Sequence, residues 1–213
     1  MALNLGAELA IKDGYDWLLL MDQDSRFKES NSIERMLKAC LFYNKIAVIA
    51  PITSENLNNY FPYKNEFSII SSAITSGSLL NLKAFQEIGR FREDYFIDYV
   101  DYEFCLRARS LGYLIIQANF IILEHKVGDS QKHWFMTTSH HSPLRRYYIT
   151  RNRLRTMYLY KGFDPIFYRS EMYAIFSETV KIILFEKQKL KKLYMIYKGY
   201  KDFKSMLKKG INL

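Results

Sequence analysis

Two aspartates separated by one residue, Asp22 and Asp24, follow the apolar run Trp17-Leu18-Leu19-Leu20-Met21. A run this short and continuous reads as a strand buried on both faces, as in a parallel sheet covered by helices. Side chains alternate along a strand, so the two carboxylates are expected to project the same way at its carboxyl end. Open α/β sheets bind their ligands at that end. Paired carboxylates there suit a hard divalent cation, which most often serves a phosphate or diphosphate. The competing reading is a pair of solvated turn aspartates after a core strand. Only a second, compatible site elsewhere separates the two.

Such a site is offered by Phe96-Ile97-Asp98-Tyr99-Val100-Asp101-Tyr102-Glu103-Phe104-Cys105-Leu106-Arg107. A helix beginning near Val100 carries Asp101 and Glu103 in its first turn, where the macrodipole favours negative charge. Glu103 and Arg107 are one turn apart and can pair. That pairing leaves Asp101 at the helix mouth as a candidate proton acceptor. Taken alone, the same residues also describe a capped surface helix with an intrahelical ion pair.

The elements that must position these groups follow from periodicity and punctuation. Residues 4–13 read as a helix stopped by Gly14. Residues 30–43 read as a helix, with Ile33, Met36, Leu37 and Leu41 at helical spacing and Ser30 or Asn31 as its cap. A buried strand is expected over 46–51 and a polar loop over 53–66. Residues 67–80 read as paired strands passing through Thr75-Ser76-Gly77-Ser78. Short helices over 82–88 and 100–111 end at Gly89 and Gly112, and 113–124 reads as one or two strands. From Leu144 onward the pattern is helical, with breaks at Gly162-Phe163-Asp164-Pro165 and near Gly199.

Composition bounds the function classes. With 213 residues the chain is one domain plus an extension. The 17 Tyr and 15 Phe point to sugar-stacking surfaces, a wet interface or a membrane-facing patch. Cys40 and Cys105 read as reduced core thiols of a cytosolic protein. No stretch reaches the roughly 18 apolar residues that span a bilayer, and the amino terminus shows no signal pattern. The net charge of +9 is uneven: acids gather over 93–103, and Lys and Arg dominate from Arg145. Residues 181–209 alternate Lys pairs with apolar residues, a pattern that reads as a peripheral anchor at the cytoplasmic face of the cell membrane. The same helix can pack on the domain through its apolar face, and the two readings are compatible. Charge alone would allow nucleic acid, but no reading module is present, so none is expected as a partner.

Asn4-Leu5-Gly6, the strand ending in Asp22-Gln23-Asp24-Ser25, Thr75-Ser76-Gly77-Ser78, Phe96-Ile97-Asp98-Tyr99-Val100-Asp101 with Arg107, His125-x-x-Gly128, and Arg146-Tyr147-Tyr148-x-x-Arg151-Asn152 occur in that order. Together they resemble the rhamnosyltransferase branch of the family 2 glycosyltransferases, from Asn4 to at least Asn152. The resemblance implies an α/β, GT-A-like (Rossmann-like) mixed sheet flanked by helices over 1–143, then a basic helical, membrane-associating region over 144–213. It implies that Asp22 and Asp24 hold the donor diphosphate through Mg²⁺ or Mn²⁺, with His125 as a further metal or diphosphate contact. A satisfied core histidine is the other reading of His125. Asp101 matches the general base of an inverting transfer. Ser76, Gly77, Asp98 and Arg107 fall on the sugar and acceptor side, and Arg151 and Asn152 on the diphosphate side. The other basic residues of 145–155 read as a membrane-facing or interdomain surface. The implied donor is dTDP-rhamnose or a UDP-sugar, and the implied acceptor a lipid-linked glycan or polysaccharide at the inner membrane surface.

The chain also departs from that family. Its relatives open with strands that contact the nucleotide base and ribose, whereas this chain starts at the helix before the metal-binding strand. At roughly 30 residues or more per βαβ unit, the expectation is an N-terminally truncated sheet with exposed apolar edges. A gene fragment, an inactive remnant and a partner-dependent half all fit. The alternative function is therefore an inactive or partner-dependent membrane-associated remnant. A metal-dependent phosphohydrolase built on Asp22 and Asp24 lacks the nucleophile's Lys or Thr signature.

Overall fold

The computed structural model describes residues 2–53, 65–125, 131–133, 136–138 and 141–210. The polar loop expected over 53–66 falls largely outside them. The chain divides into two compact units, one of Met1–Glu93 with Asp101–Lys126 and one of Asp94–Val100 with Val127–Leu213. The short segment 94–100 therefore belongs with the C-terminal residues.

The first unit is a mixed α/β layer structure. Its strands are β1 (Trp17–Leu20), β2 (Ser25–Phe27), β3 (Ile46–Thr53), β4 (Phe67–Ile69), β5 (Ser78–Asn81) and β6 (Leu114–His125), in the order β1-β5-β3-β6-β2 with β4 also on β6. Among the described residues only β3 and β6 run parallel, and every other pair of this sheet is antiparallel. The all-parallel, doubly covered setting expected for the aspartate-bearing strand is thus corrected. Among the described residues β1 is an edge strand, and Trp17, Leu18 and Leu19 are only half-buried. The paired strands expected over 67–80 also part company, since β4 joins β6 while β5 lies between β1 and β3.

Alternation then assigns the two faces. Ile49, Leu79 and Ile116 pack with Met36 and Ala39 from helix α2 (Ser32–Leu37) and the 3₁₀ turn behind it. Their neighbours Val48, Leu80 and Ile115 point to the opposite face, where Phe91 and Phe104 stack at 4.4 Å. Helix α1 (Ala2–Lys12) lies against β1, and α3 (Leu82–Ile88) is capped by Asn81, whose side chain accepts from Ala84 N at 2.9 Å. Helix α4 (Val100–Ser110) supplies Phe104, Cys105 and Leu106 to the core. Cys105 is buried as expected, but Cys40 is exposed, because the helix begun at Ser32 tightens into a 3₁₀ turn over Lys38–Leu41.

The second unit is built on α5 (Pro143–Tyr160), with α6 (Pro165–Phe185), α7 (Lys189–Lys208) and the hairpin β7 (Gln131–His133) and β8 (Met136–Thr138). Both α5 and α6 start from side-chain caps followed by Pro at the first turn, Ser142-Pro143 and Asp164-Pro165. The break expected near Gly199 is corrected: α7 runs through it. A Cβ at Gly199 would sit 2.7 Å from Tyr147 O and 3.2 Å from Arg151 N, so the glycine lets α7 touch the α5 backbone. Lys192, Gly199 and Phe203 are the buried line of α7. The apolar face of the basic tail helix is therefore used on α5.

The basic helix α5, expected at a membrane-facing or interdomain surface, is the core helix of the second unit. Arg146, Arg153 and Arg155 are buried. Arg146 pairs with Glu178 and Glu186, each at 2.8 Å, Arg153 with Glu171 at 3.0 Å and Glu178 at 2.6 Å, and Arg155 with Asp94. Partners 18 to 61 residues away pair with the guanidinium groups, which is the condition for burying them, although Arg146 Nε is buried without a hydrogen-bond partner among the described residues.

Candidate functional site

The site is built where β1 hands over to β2. Strand β1 stops at Leu20, so Asp22 and Asp24 lie in a turn and not on the strand as its alternation would have them. Ser25 N donates to Asp22 O at 3.2 Å and closes the turn, and both carboxylates are exposed. Three hydrogen bonds tie this turn to the segment 75–77. Gly77 N donates to Leu20 O at 2.7 Å, Asp22 N donates to Ser76 Oγ at 3.1 Å, and Ser76 Oγ donates to Ser25 Oγ at 2.9 Å.

Glycine is required at 77. Its φ is +75°, and a Cβ would stand 2.8 Å from both methyls of Leu123 and 2.9 Å from Pro51. Ser76 is 2 % exposed and Gly77 is buried, so both hold the turn from behind. The residue that this segment presents is Thr75. It lines a cleft of about 220 Å³ with Asp22, Leu20 and α1, and also a narrow apolar cavity of about 10 Å³ with Leu20, Cys105 and Asp101. Asp22 and Asp101 thus open onto separate hollows that share the walls Leu20 and Thr75. The sequence motifs include Thr75 and Ser25 but assign neither a role; for Ser25 the signal was its place directly after the aspartate pair.

Helix α4 carries Asp101 in its first turn, half-buried, with its Oδ1 accepting from Tyr102 N at 2.9 Å. The expected pair forms one turn on. Glu103 is fully buried and takes Arg107 Nε at 3.1 Å and Nη2 at 3.0 Å, with Arg92 Nε at 3.1 Å as a partner the sequence did not indicate. Arg107 further donates to the carbonyls of Ile88 and Arg90. Its guanidinium is thus engaged in tying α4 to the end of α3, and an acceptor contact from it would break that network.

A divalent cation fits the turn chemically, since two exposed carboxylates on one four-residue turn offer hard oxygens. Strand register sets the backbone of His125 opposite Ser25, beside Asp24. The His125 side chain lies outside the described residues. Among the described residues no three acidic, His or Cys side chains gather as a metal site.

Asp98, Arg151 and Asn152 belong to the second unit. Phe96, Asp98 and Tyr99 have φ of 64°, 61° and 65°, a left-handed run that L residues resist. Asn152 holds it: its Nδ2 donates to the carbonyls of Tyr95, Ile97 and Asp98 at 2.8, 2.9 and 3.0 Å. Arg151 donates to Asn152 Oδ1 and to Asp94 O, and its guanidinium lies against the Tyr147 and Tyr148 rings. Asp98 is chelated by Arg145 Nε and Nη2 at 3.0 and 2.9 Å. Arg151 and Asn152, expected to contact diphosphate, are spent on shaping the loop 94–99. Nearby, burial and the cations Arg145 and Arg146 depress the His141 pKa to about 4.

No family model matches the chain. A search of curated proteins finds similarity to a dTDP-rhamnosyl transferase, RfbF, of Shigella flexneri, with 31% identity over 210 aligned residues that take in 89% of this chain and 69% of the relative. By similarity of that extent the chain belongs to the rhamnosyltransferase-like glycosyltransferases.

Proposed function

We propose that the chain is a GT-A-type, family 2 transferase that moves a sugar, rhamnose, from a nucleotide diphosphate to an acceptor hydroxyl with inversion. The observation carrying this reading is the hydrogen-bonded junction of the Asp22–Asp24 turn with the Ser76–Gly77 segment, whose Thr75 walls both the Asp22 cleft and the Asp101 cavity. Asp22 and Asp24, with His125 as a further ligand, would hold Mg²⁺ or Mn²⁺. When bound, that ion neutralises charge on the leaving diphosphate. Asp101 accepts the proton of the acceptor hydroxyl as its oxygen bonds to the anomeric carbon. The donor is dTDP-rhamnose, by the activity named for the similar Shigella protein, and a UDP-sugar is the alternative. The acceptor is a lipid-linked or polysaccharide glycan presented at the membrane surface. Arg107, Arg151 and Asn152 act by positioning backbone, and Asp98 by anchoring its loop.

The test is binding followed by turnover. Mn²⁺ with dTDP-rhamnose is expected to raise the melting temperature of the chain, and Asp22→Ala or Asp24→Ala to abolish the rise. Asp101→Asn is expected to keep that rise and lower transfer by about 10²–10⁴-fold. No metal-dependent response to either donor would remove the proposal, and full transfer by Asp101→Asn would remove its base.

A further inference from the structure

Helix α6 presents an apolar stripe to solvent along its whole length. Ile166, Tyr173, Phe176 and Leu184 recur at helical spacing and are 80%, 74%, 69% and 57% exposed. The stripe runs about 27 Å at 1.5 Å per residue. It continues into the corner between α6 and α7, where Phe185 and Leu190 are 41% and 83% exposed and alternate with exposed Lys187, Lys189 and Lys191.

The charges around this stripe are sorted by sign. Between Pro165 and Gly210 the chain has four acidic residues, and each is held by a partner within the second unit. Glu171 and Glu178 go to Arg153 and Arg146, Glu186 to Arg146 and Lys192, and Asp202 accepts from the Tyr147 hydroxyl at 2.7 Å. Of the basic residues in the same stretch, Arg169, Lys187, Lys189, Lys191, Lys198, Lys201, Lys204, Lys208 and Lys209 are exposed. The outward surface of α6 and α7 is therefore aromatic, aliphatic and cationic, with its anions withdrawn into the unit.

We infer that α6 and the α6–α7 corner seat the chain in the plane of an anionic lipid bilayer. The stripe enters the acyl boundary and the lysines meet the headgroups. A protein partner with an apolar groove would not need so consistent a removal of negative charge. No helix of the described residues is long and apolar enough to cross a membrane, so the helix lies on the bilayer. This moves the membrane contact from the apolar face of α7, which α5 covers, to the face of α6. The inference deepens the proposed transfer to a membrane-borne acceptor, yet its test uses neither donor nor acceptor.

The experiment is co-sedimentation of the full chain with vesicles of phosphatidylcholine alone or mixed with phosphatidylglycerol, with circular dichroism to verify folding. Binding is expected only with phosphatidylglycerol and is expected to weaken as salt rises. Replacing Lys187, Lys189 and Lys191 with Gln is expected to weaken it by about five-fold per lysine, roughly a hundred-fold together. Tyr173→Ser with Phe176→Ser, at exposed positions that leave the fold intact, should weaken binding without changing its salt dependence. Asp22→Ala should bind vesicles like the parent, which separates this result from failure of the transfer reading. Equal binding to neutral vesicles, no binding to either, or dimerisation lost in the Tyr173/Phe176 variant would each overturn the inference.

Discussion

Replacing Asn152 by Ala tests what holds the loop 94–99 in a conformation its residues resist. The side chain is fully buried. Its two amide protons serve three carbonyls, and its Oδ1 receives two bonds from Arg151. Two neutral bonds at about 1 kcal/mol each, and a charge-assisted acceptor worth about 1.5–3 kcal/mol, amount to roughly 4 kcal/mol if the loop stays put. Against this stands the left-handed backbone at Phe96, Asp98 and Tyr99, which costs about 1 kcal/mol or more per residue. Once the clamp is gone, the loop recovers part of the loss by letting go. The expected outcome is a destabilisation of about 2–3 kcal/mol in urea, accompanied by loss of hydrogen-exchange protection at the Ile97 amide, which donates to Tyr95 O at 2.7 Å. Asn152→Asp is the sharper control. It keeps the acceptor for Arg151 but turns lone pairs toward three carbonyls, and it should be no better than Ala. A midpoint within about 0.5 kcal/mol of the parent, with Ile97 still protected, would refute the assignment of Asn152 as the clamp.

Further outcomes follow from the same geometry. Gly77→Ala combines a left-handed φ with a methyl driven into Leu123 and Pro51, and should cost about 2–4 kcal/mol by thermal or urea denaturation. Gly199→Ala pits a helix-propensity gain of about 1 kcal/mol against a Cβ 2.7 Å from the Tyr147 carbonyl. Because the obstacle is backbone, the clash wins and the variant should be less stable; a stabilised variant would show that α7 yields easily. Glu103→Gln keeps the shape but leaves two guanidinium groups at a neutral, fully buried partner, with an expected loss of about 3 kcal/mol read from the urea midpoint. His141 titrates near 4 when folded, below its ordinary value of 6.5. The unfolded chain therefore takes up a proton first, and stability should fall as pH drops from about 6.5 to 4. His141→Gln should flatten that slope, measured by denaturation at pH 7 and pH 5.

Local elements were legible because their signals are local. Helix α3 over Leu82–Ile88 with Gly89 behind it, α4 from Val100, and α1 closed before Gly14 all follow from apolar spacing and a glycine stop. The Glu103–Arg107 pair was equally readable, since one helical turn brings them together whatever the rest of the chain does. The aspartate pair was expected at the carboxyl end of a strand buried on both faces, and the structure instead sets it in an exposed turn after a half-buried strand. Whether a run of Leu becomes a central or an edge strand depends on which partners the sheet supplies, and among the described residues β1 pairs only with β5.

What the amino-acid sequence determined by itself was the order of elements, the acidic turn, and a surplus of cations in the C-terminal third. Tertiary structure decided where those cations go. Four of the five arginines of α5 read as a membrane-facing or interdomain surface until Glu171 and Glu178 of α6, and Glu186 at its end, make burial affordable for Arg146 and Arg153. The same docking turns the acids of α6 inward and leaves its aromatic stripe outside, which no periodicity within that helix reveals. The physical reason is that a charge is buried or exposed according to its partner, and partners dozens of residues away are chosen by packing.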